Sequence, residues 1–249
     1  EGADIVDVGG ESTRPGAVRP SGQEEADRVL PVVEALVAEG VRISVDTMRS
    51  EVASAALEAG ATLVNDVSGG RADPDMLATV ARHGAPYVLM HWRAHAATMQ
   101  DRTHYDAVVP DVLAELREQL ALALAAGVAA DRIALDPGIG FSKTADQNWE
   151  VLAATERLHE LGHPLLVATS RKRFLGDLLA ESDGTLRPPL ERDDATTATT
   201  ALAATAGAWC IRAHSVRRTA DAVRVAARWA AATRTPTPRT GRVDPGGSP

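Results

Sequence analysis

Three polar side chains stand at the ends of apolar runs, where they could recognise a flat ring. Asp46 ends the run 42–46, Asn65 lies near the end of 62–66, and Asp136 ends 132–136. Short runs rich in Ile, Val and Leu are typical of buried parallel strands. Carboxylates and a carboxamide pair well with a heterocycle that carries several N–H donors and ring acceptors. These positions therefore predict a site for a hydrogen-bonding ring.

Cations and hydroxyl groups form a second candidate set, suited to an anion. The apolar run 164–168 leads into Ser170, Arg171, Lys172 and Arg173, in a chain whose formal net charge is −8. Charge alone predicts that this run binds an anion, whereas each cation taken singly is better explained as a solvated or paired surface residue. Donors that suit phosphate also follow other strands, at Thr13, Arg14, Arg212 and His214.

Met90 lies near the end of the run 86–91, and Phe141 follows the run 132–136. They offer a thioether and an aromatic face that could sandwich a ring. Other polar residues nearby have simpler structural explanations. Asp7 would satisfy backbone or basic partners inside the fold, and Asp66 would serve as a cap or turn residue. His91 is better explained as a packed, hydrogen-bonded histidine than as a ligand.

Several common site signatures are missing from the sequence. No grouping of His, Cys and Asp has metal-ligand spacing. Gly138 and Gly140 do not form a dinucleotide fingerprint, because Lys143 occupies the place of the third glycine, and no Walker-type loop is present. No Ser/His/Asp or Cys/His arrangement indicates a protein nucleophile. Periodicity and spacing alone predict a mouth that binds a ring and an anion.

The elements that position these residues alternate regularly along the chain. Seven strands are predicted, at 4–8, 42–46, 62–66, 86–91, 132–136, 164–169 and 208–212. Helical patterns follow them at 23–38, 49–59, 74–83, 106–126, 146–161, 173–181 with 193–206, and 216–232. Six glycines stand just past helices, where a left-handed C-cap is expected: Gly40, Gly60, Gly84, Gly127, Gly162 and Gly207.

This alternation predicts an α/β fold with parallel strands and right-handed crossovers. The strand ends of such a fold converge on one mouth, as in a (β/α)8 TIM barrel. Seven strands are one short of that count, so we expect the first strand and helix of the barrel to be missing from this chain. Residues 1–232 are assigned to the barrel, and the Pro- and Gly-rich segment 233–249 is predicted to be disordered.

Composition excludes several classes of protein. The 249 residues, 45% of them hydrophobic, suffice for one large core. A net charge of −8 argues against a nucleic-acid-binding surface, and no apolar stretch is long enough to span a bilayer. Cys210 is the only cysteine, which excludes an intrachain disulfide and favours a reducing, cytoplasmic setting.

Seven short motifs, taken in order, resemble those of the dihydropteroate synthase family. They are GGESTRPG at 9–16, SVDT at 44–47, NDVSGG at 65–70, MH at 90–91, DPGIGF at 136–141, SRK at 170–172 and R-x-H at 212–214. One such motif carries little weight, whereas seven in the same order are specific. The resemblance covers about residues 2–230.

The resemblance implies a transferase of folate biosynthesis with a TIM-barrel fold. The family condenses (7,8-dihydropterin-6-yl)methyl diphosphate with 4-aminobenzoate, giving 7,8-dihydropteroate and diphosphate. The resemblance further implies a sulfonamide target, a homodimer, and Mg2+ acting with the diphosphate.

Roles for individual residues also follow from the resemblance. The pterin pocket is expected to comprise Asp46, Asn65, Asp136 and Lys172, with Met90 and Phe141 against the ring. The diphosphate side is expected to comprise Thr13, Arg212 and His214, with the backbone of Ala213. Arg14 and Ser170 are expected near the aminobenzoate. The residues expected to act in catalysis are Asp136, Lys172, Arg212 and His214.

Three departures from the family pattern bear on function. Ala168 stands where the family has Gly, and Ser215 stands where it has an Asp that would orient His214. The strand that supplies the family's metal-binding Asn has no counterpart in this sequence, so no Mg2+ ligand is assigned. Two alternatives stay open: a divergent, non-catalytic pterin-binding paralogue, and a methyltetrahydrofolate–corrinoid methyltransferase. The latter shares the barrel but needs no diphosphate site.

Overall fold

The computed structural model describes residues 2–12, 17–95 and 97–234, and it confirms the seven strands predicted from the apolar runs. They are β1 (Val6–Gly9), β2 (Ile43–Asp46), β3 (Leu63–Asp66), β4 (Tyr87–Met90), β5 (Ile133–Asp136), β6 (Leu166–Val167) and β7 (Cys210–Ile211). Each is shorter than its predicted run, although flanking residues such as Thr62 and His91 still donate backbone hydrogen bonds to the neighbouring strands.

Helices follow the strands as predicted, with one interruption. They are α1 (Gly22–Ala38), α2 (Ser50–Glu58), α3 (Met76–His83), α4 (Val108–Ala125), α5 (Ala145–Ala153), α6 (Thr155–Leu158), α7 (Arg173–Leu178), α8 (Asp193–Thr205) and α9 (Val216–Arg234). The single helix predicted at 146–161 breaks at Ala154, beside a 2.7 Å hydrogen bond from the Thr155 hydroxyl to the Leu152 carbonyl. Helix α9 runs to Arg234, so the first two residues of the predicted tail 233–249 are helical instead, and the rest, 235–249, lies outside the described residues.

Helix boundaries follow local signals in the sequence. Ser21 begins α1 in a capping box, since its hydroxyl accepts from the Glu24 N–H at 3.2 Å and the Glu24 carboxylate accepts from the Ser21 N–H at 2.8 Å. Thr144 and Gln147 form the same box at α5, directly after the loop that follows β5. All six glycines predicted as C-caps have positive φ, between 58° and 105°.

The strands are parallel and lie in chain order. Strands β1 to β5 form one sheet, a bridge between Leu135 and Leu165 leads to β6, and β6 pairs with β7. Ile5 and Cys210, from the two ends of this series, contact one shared apolar cluster inside the fold. The series therefore curls into a barrel. The other members of the cluster come from the strands between: Leu63, Val88, Ala134, Leu166 and Ala168.

Pleating decides which side chains reach the mouth. Alternate residues of a strand point to opposite faces. Leu63, Val88 and Ala134 point into the barrel, so the residues two positions later point inward as well. Those residues are Asn65, Met90 and Asp136, and the register places Asp46 beside Asn65 and Met90 beside Asp136.

Asp66 points the opposite way from its neighbour Asn65 and organises the turn after β3. It is fully buried and accepts hydrogen bonds from the Ser68 N–H and hydroxyl, the Gly70 N–H and the Tyr87 hydroxyl, all between 2.7 and 2.8 Å. Four donors on one carboxylate leave it no free oxygen for a ligand. The structure thus confirms the prediction that Asp66 is a structural turn residue.

Candidate active site

The mouth of the barrel brings together the ring-binding residues predicted from the sequence. Asn65 and Asp136 are each 5% exposed, and the Asp46 side chain is 14% exposed. Asp7 lies among them, because its Oδ2 accepts from Asn65 Nδ2 at 3.2 Å. Three carboxylates and one carboxamide therefore share a small, poorly hydrated space.

Arg212 spans two of these carboxylates. Its Nε–H donates to Asp7 Oδ2 at 2.6 Å, and its Nη2 donates to Asp46 Oδ2 at 2.8 Å. Asp7 was predicted to satisfy a basic partner, and Arg212 is that partner. The arginine expected on the diphosphate side thus lies against carboxylates, with 43% of its side chain exposed at the rim.

The carboxyl groups of the mouth hold their protons more tightly than exposed ones. Burial, and then the charge of Asp7, raises the pKa of Asp46 to about 8, although Arg212 opposes the shift. Burial likewise raises the pKa of Asp136, against the attraction of Lys172. Both ionised carboxylates would be stabilised by further N–H donors, which a ring such as a pterin carries.

Lys172 reaches the loop that follows β5. Its Nζ donates to the Ile139 carbonyl and lies 4.9 Å from the centroid of the Phe141 ring. Burial lowers the pKa of Lys172 to about 8, while the Asp136 charge acts in the opposite direction. An ammonium group beside an aromatic face is suited to donate to the oxygen or nitrogen of a stacked heterocycle.

Arg171 shapes the turn after β6. Its φ of 58° is left-handed, which is unfavourable for a residue with a Cβ. Its N–H donates to Thr196 Oγ1 at 3.1 Å, its carbonyl accepts from Arg192 at 2.9 Å, and its guanidinium makes two hydrogen bonds to Asp193. Arg173 is exposed on the surface. Arg171 is therefore a paired residue that shapes a turn, and Arg173 is a surface residue. Neither fits the hypothesis that this run binds an anion.

Ser170 and His214 form a pair at the rim. Ser170 Oγ lies 2.8 Å from His214 Nδ1 and accepts from the His214 backbone N–H at 3.1 Å. Ser170 is buried and His214 is exposed, so the hydroxyl holds the inner edge of a ring whose outer edge faces the opening. Ala213, between the two rim residues Arg212 and His214, is half-buried.

Comparison with known proteins identifies the family. Residues 1–214 match the pterin binding enzyme family. The chain is 51% identical over 230 residues to a dihydropteroate synthase of Mycobacterium leprae, which covers 92% of this chain and 81% of that protein. This chain belongs to the dihydropteroate synthase family.

Solved structures of the dihydropteroate synthase family share the fold. The Xanthomonas albilineans enzyme with 4-aminobenzoic acid has a TM-score of 0.85 at 42% identity, over 94% of this chain and 81% of that chain. The same enzyme in complex with 7,8-dihydropteroate has a TM-score of 0.81 at 39% identity, over the same shares. The α/β barrel predicted from the sequence is thereby confirmed.

The mouth also has an apolar wall beside its hydrogen-bonding residues. The sequence predicted only part of this wall. Met90 and Phe141 belong to one cluster, which also contains Met48, Val67 and Trp92. The three missed residues stand one or two positions beyond the ends of β2, β3 and β4. Their positions just past strand ends could have predicted that they line the mouth.

The Mg2+ that the family resemblance implies has no cluster of carboxylate, histidine or cysteine ligands in the described part of this chain. Within 2–12, 17–95 and 97–234, no group of three or more His, Cys, Asp or Glu is arranged to hold an ion. Asp7 and Asp46 are bridged by the Arg212 guanidinium instead. Thr13 and Arg14, expected beside the substrates, lie outside the described residues.

No helix among those described is long and apolar enough to cross a membrane.

Replacing Asp46 by Asn tests the cost of its buried charge. The pKa of Asp46 is raised from 3.8 to about 8 on folding, so the folded state of the parent loses stability as the pH rises between these values. Asp46→Asn lacks this loss. Its advantage in free energy of unfolding should therefore widen from about pH 5 to about pH 8, as measured by urea denaturation. Asp131→Asn, at an exposed position, controls for the loss of one surface charge. An Asp46→Asn advantage that does not grow with pH would contradict the assignment.

Proposed function

We propose that this chain condenses (7,8-dihydropterin-6-yl)methyl diphosphate with 4-aminobenzoate, giving 7,8-dihydropteroate and diphosphate. The observation that carries the proposal is a set of acceptors and one ammonium group at the same mouth: Asn65 and Asp136, which are buried, Asp46, whose side chain is 14% exposed, and Lys172. A pterin presents N–H donors along one edge and accepting oxygen and nitrogen atoms along another. The structures of the Xanthomonas albilineans synthase with 4-aminobenzoic acid and with dihydropteroate support the choice of substrates.

The pterin is bound by its edges and covered on its face. Asp46, Asn65 and Asp136 accept from the N–H edge, and Lys172 donates to the accepting edge. The apolar wall around Phe141 covers the ring. Charge alone predicts that Lys172 binds phosphate. In the proposed arrangement it binds the pterin instead.

The chemistry needs no protein nucleophile. The C–O bond between the pterin methylene and the diphosphate breaks, and its electron pair leaves with the diphosphate. The amine nitrogen of 4-aminobenzoate forms the new C–N bond and then releases one proton to solvent. Asp136 offsets the positive charge that spreads from the methylene into the ring, and the Gly138 N–H at 2.7 Å holds its carboxylate in place.

The rim holds the leaving group. Arg212 exchanges the carboxylates of Asp7 and Asp46 for phosphate oxygens once the pterin N–H groups satisfy Asp46. His214, held on its inner edge by Ser170, turns its outer nitrogen toward the same oxygens. The substrate therefore replaces the contacts that Arg212 makes inside the protein.

The remaining assignments follow the family resemblance. Mg2+, where it accompanies the diphosphate, would offset the negative charge of the leaving group beside Arg212 and His214. Thr13 and the Ala213 backbone contact the diphosphate, and Arg14 and Ser170 lie near the aminobenzoate. A reducing cytoplasm suits the free thiol of Cys210.

The last two helices support a homodimer, which mutation can test. Helices α8 and α9 pack together, and their side chains Leu202, Val225 and Trp229 are between 65% and 69% exposed. Apolar groups of this size on adjacent helices are typical of an interaction surface. Trp229→Glu should convert a dimer into a monomer in size-exclusion chromatography with light scattering, whereas Trp209→Glu, at another exposed tryptophan, should not. A monomeric parent would disprove the homodimer.

The reaction itself can be tested directly. Protein mixed with both substrates and Mg2+ should form dihydropteroate and diphosphate in equal amounts, measured by mass spectrometry and a coupled diphosphate assay. Asp136→Asn should lower kcat on the order of 10²-fold or more, because it removes the charge that offsets the developing cation. Pterin binding without diphosphate release would indicate the non-catalytic paralogue instead. Methyl transfer from methyltetrahydrofolate would indicate the methyltransferase.

Binding of a bare pterin separates the roles of the two mouth cations. Lys172→Met should weaken the affinity for 6-hydroxymethylpterin, which has no diphosphate, by roughly tenfold, because one charged hydrogen bond is lost. Arg212→Gln should weaken mainly the binding of the diphosphate-bearing substrate. Calorimetric titration with the two ligands measures both effects. Unchanged affinity of Lys172→Met for the bare pterin would return Lys172 to the phosphate role.

A further inference from the structure

The loop after β5, residues 137–142, supports two residues of the mouth through its main chain. The Gly138 N–H donates to Asp136 Oδ1 at 2.7 Å, and the Ile139 carbonyl accepts from Lys172. The loop also carries the Phe141 ring of the apolar wall. The position of this loop therefore sets the positions of the groups that we assign to the pterin.

The backbone of this loop is unfavourable by itself and needs contacts from other residues to hold its conformation. Gly138, Gly140 and Ser142 have φ values of 67°, 81° and 47°, all in the left-handed region. Ser142 carries a Cβ, so its conformation is strained. A Cβ on Gly138 would lie 2.5 Å from the His91 carbonyl oxygen, which shows how closely the loop packs on the residue after β4.

Lys143 supplies that support at both ends of the loop. Its Nζ lies 3.1 Å from the Gly138 carbonyl oxygen, 3.2 Å from the Phe141 carbonyl oxygen and 3.1 Å from His91 Nδ1. The side chain is only 3% exposed. Burial lowers the pKa of Lys143 to about 7, against the attraction of the Asp136 charge. In its ammonium form the side chain has three N–H bonds, and here each finds an acceptor. All the donors of Lys143 are thus used to hold protein, and none remains for a ligand.

His91 connects this contact to a surface ion pair. Because Nδ1 accepts from Lys143, the ring proton lies on Nε2, which donates to Glu115 at 2.9 Å. Arg93 donates to both Glu115 oxygens. Burial, together with the Lys143 charge, lowers the pKa of His91 to about 3, so the imidazole stays neutral. Lys143 is the inner end of a chain that runs through His91 to Glu115.

Composition points to the same residue. Of the 26 Lys and Arg residues in the chain, only Lys143 and Lys172 are lysines. A planar guanidinium is too large, and its donors diverge too widely, for three acceptors gathered around one atom. A compact ammonium group fits them. The chain thus has its two lysines on either side of one loop.

We propose that Lys143 is a positioning residue, which fixes the loop 137–142 and thereby places Asp136 and Lys172 for the pterin. The identity of the ligand rests on the proposed function, whereas the support of the loop does not. Lys143 acts through the geometry of its neighbours, because its own donors are occupied.

Kinetic constants of Lys143→Met test the proposal. Methionine keeps the length of the side chain and removes its three donors. The ratio kcat/KM for the pterin diphosphate should fall roughly tenfold to a hundredfold, as expected for a ring held up to about 1 Å out of place, while the KM for 4-aminobenzoate changes by less than about threefold. Tyr87→Phe removes a buried hydrogen bond outside the loop and controls for lost stability. Equal losses in the two variants would overturn the proposal.

A fluorine signal reports on the loop without turnover. Phe141 and Phe174 are the only phenylalanines in the chain, so 4-fluorophenylalanine gives one signal from the loop and one from the helix layer, where Phe174 packs 4.8 Å from Trp149. In Lys143→Met the Phe141 signal should shift or broaden, and the Phe174 signal should stay in place. An unchanged Phe141 signal would overturn the proposal. A shifted Phe141 signal in a protein whose parent lacks synthase activity would refute the proposed function alone.

Glu115→Gln keeps the test decisive if Lys143→Met does not fold. Glu115 is partly exposed, and glutamine preserves its shape while weakening the acceptor that orients His91. The Phe141 signal and the pterin constants should change in the same direction as in Lys143→Met, by a smaller factor. If both stay at the parent values, the loop does not depend on this chain and the proposal fails.

Discussion

The structure depends on holding opposite charges together in a mouth from which much of the water is excluded. Strand pleating turns Asp7, Asp46 and Asp136 inward, and carboxylates in such a place are costly unless they are paired. Arg212 forms ion pairs with Asp7 and Asp46, and the charge of Lys172 favours the ionised form of Asp136. The ionic contacts offset part of the cost of burying these carboxylates, and below them Ile5 and Cys210 pack on the apolar cluster shared by the two ends of the strand series.

This constraint makes ligand binding an exchange of partners. In the protein alone, the carboxylate of Asp46 takes its hydrogen bond from Arg212. A ring that brings its own N–H donors supplies the same stabilisation, which frees the guanidinium for an anion attached to the ring. Under the proposed function, binding of the ring and binding of its diphosphate are thereby linked through one side chain. Burying these carboxylates is the kind of cost that functional sites carry.

The sequence could predict the strands and the inward residues because both depend on local patterns. An apolar run with a polar end marks a strand, and a period of two separates Asn65 from Asp66 once the ladder is in place. The break at Ala154 escaped prediction, since no Pro or Gly marks it. Position relative to a strand end would also have found Met48, which no chemical motif includes.

Other parts of the site could not be predicted, because their partners are distant or belong to the main chain. Asp193 lies 22 positions from Arg171, and nothing in either local pattern indicates that they pair. Lys143 was visible only as a residue that breaks a glycine fingerprint. Its acceptors are carbonyl groups that converge only after the loop has turned through its left-handed residues. The signal that remained was compositional: a lysine in a chain that otherwise uses arginine.

The departures from the family pattern can be judged by the same contacts. Ser215 replaces an Asp expected to orient His214, yet the imidazole is held at Nδ1 by Ser170, which also binds its backbone N–H. The orienting contact comes from the neighbouring strand end and does not require a carboxylate at 215. The extra methyl group of Ala168 is accommodated in the cluster inside the barrel, below the mouth. The substitution at 215 removes a carboxylate, but His214 Nδ1 already has its partner in Ser170, so neither departure favours a loss of catalysis over its retention.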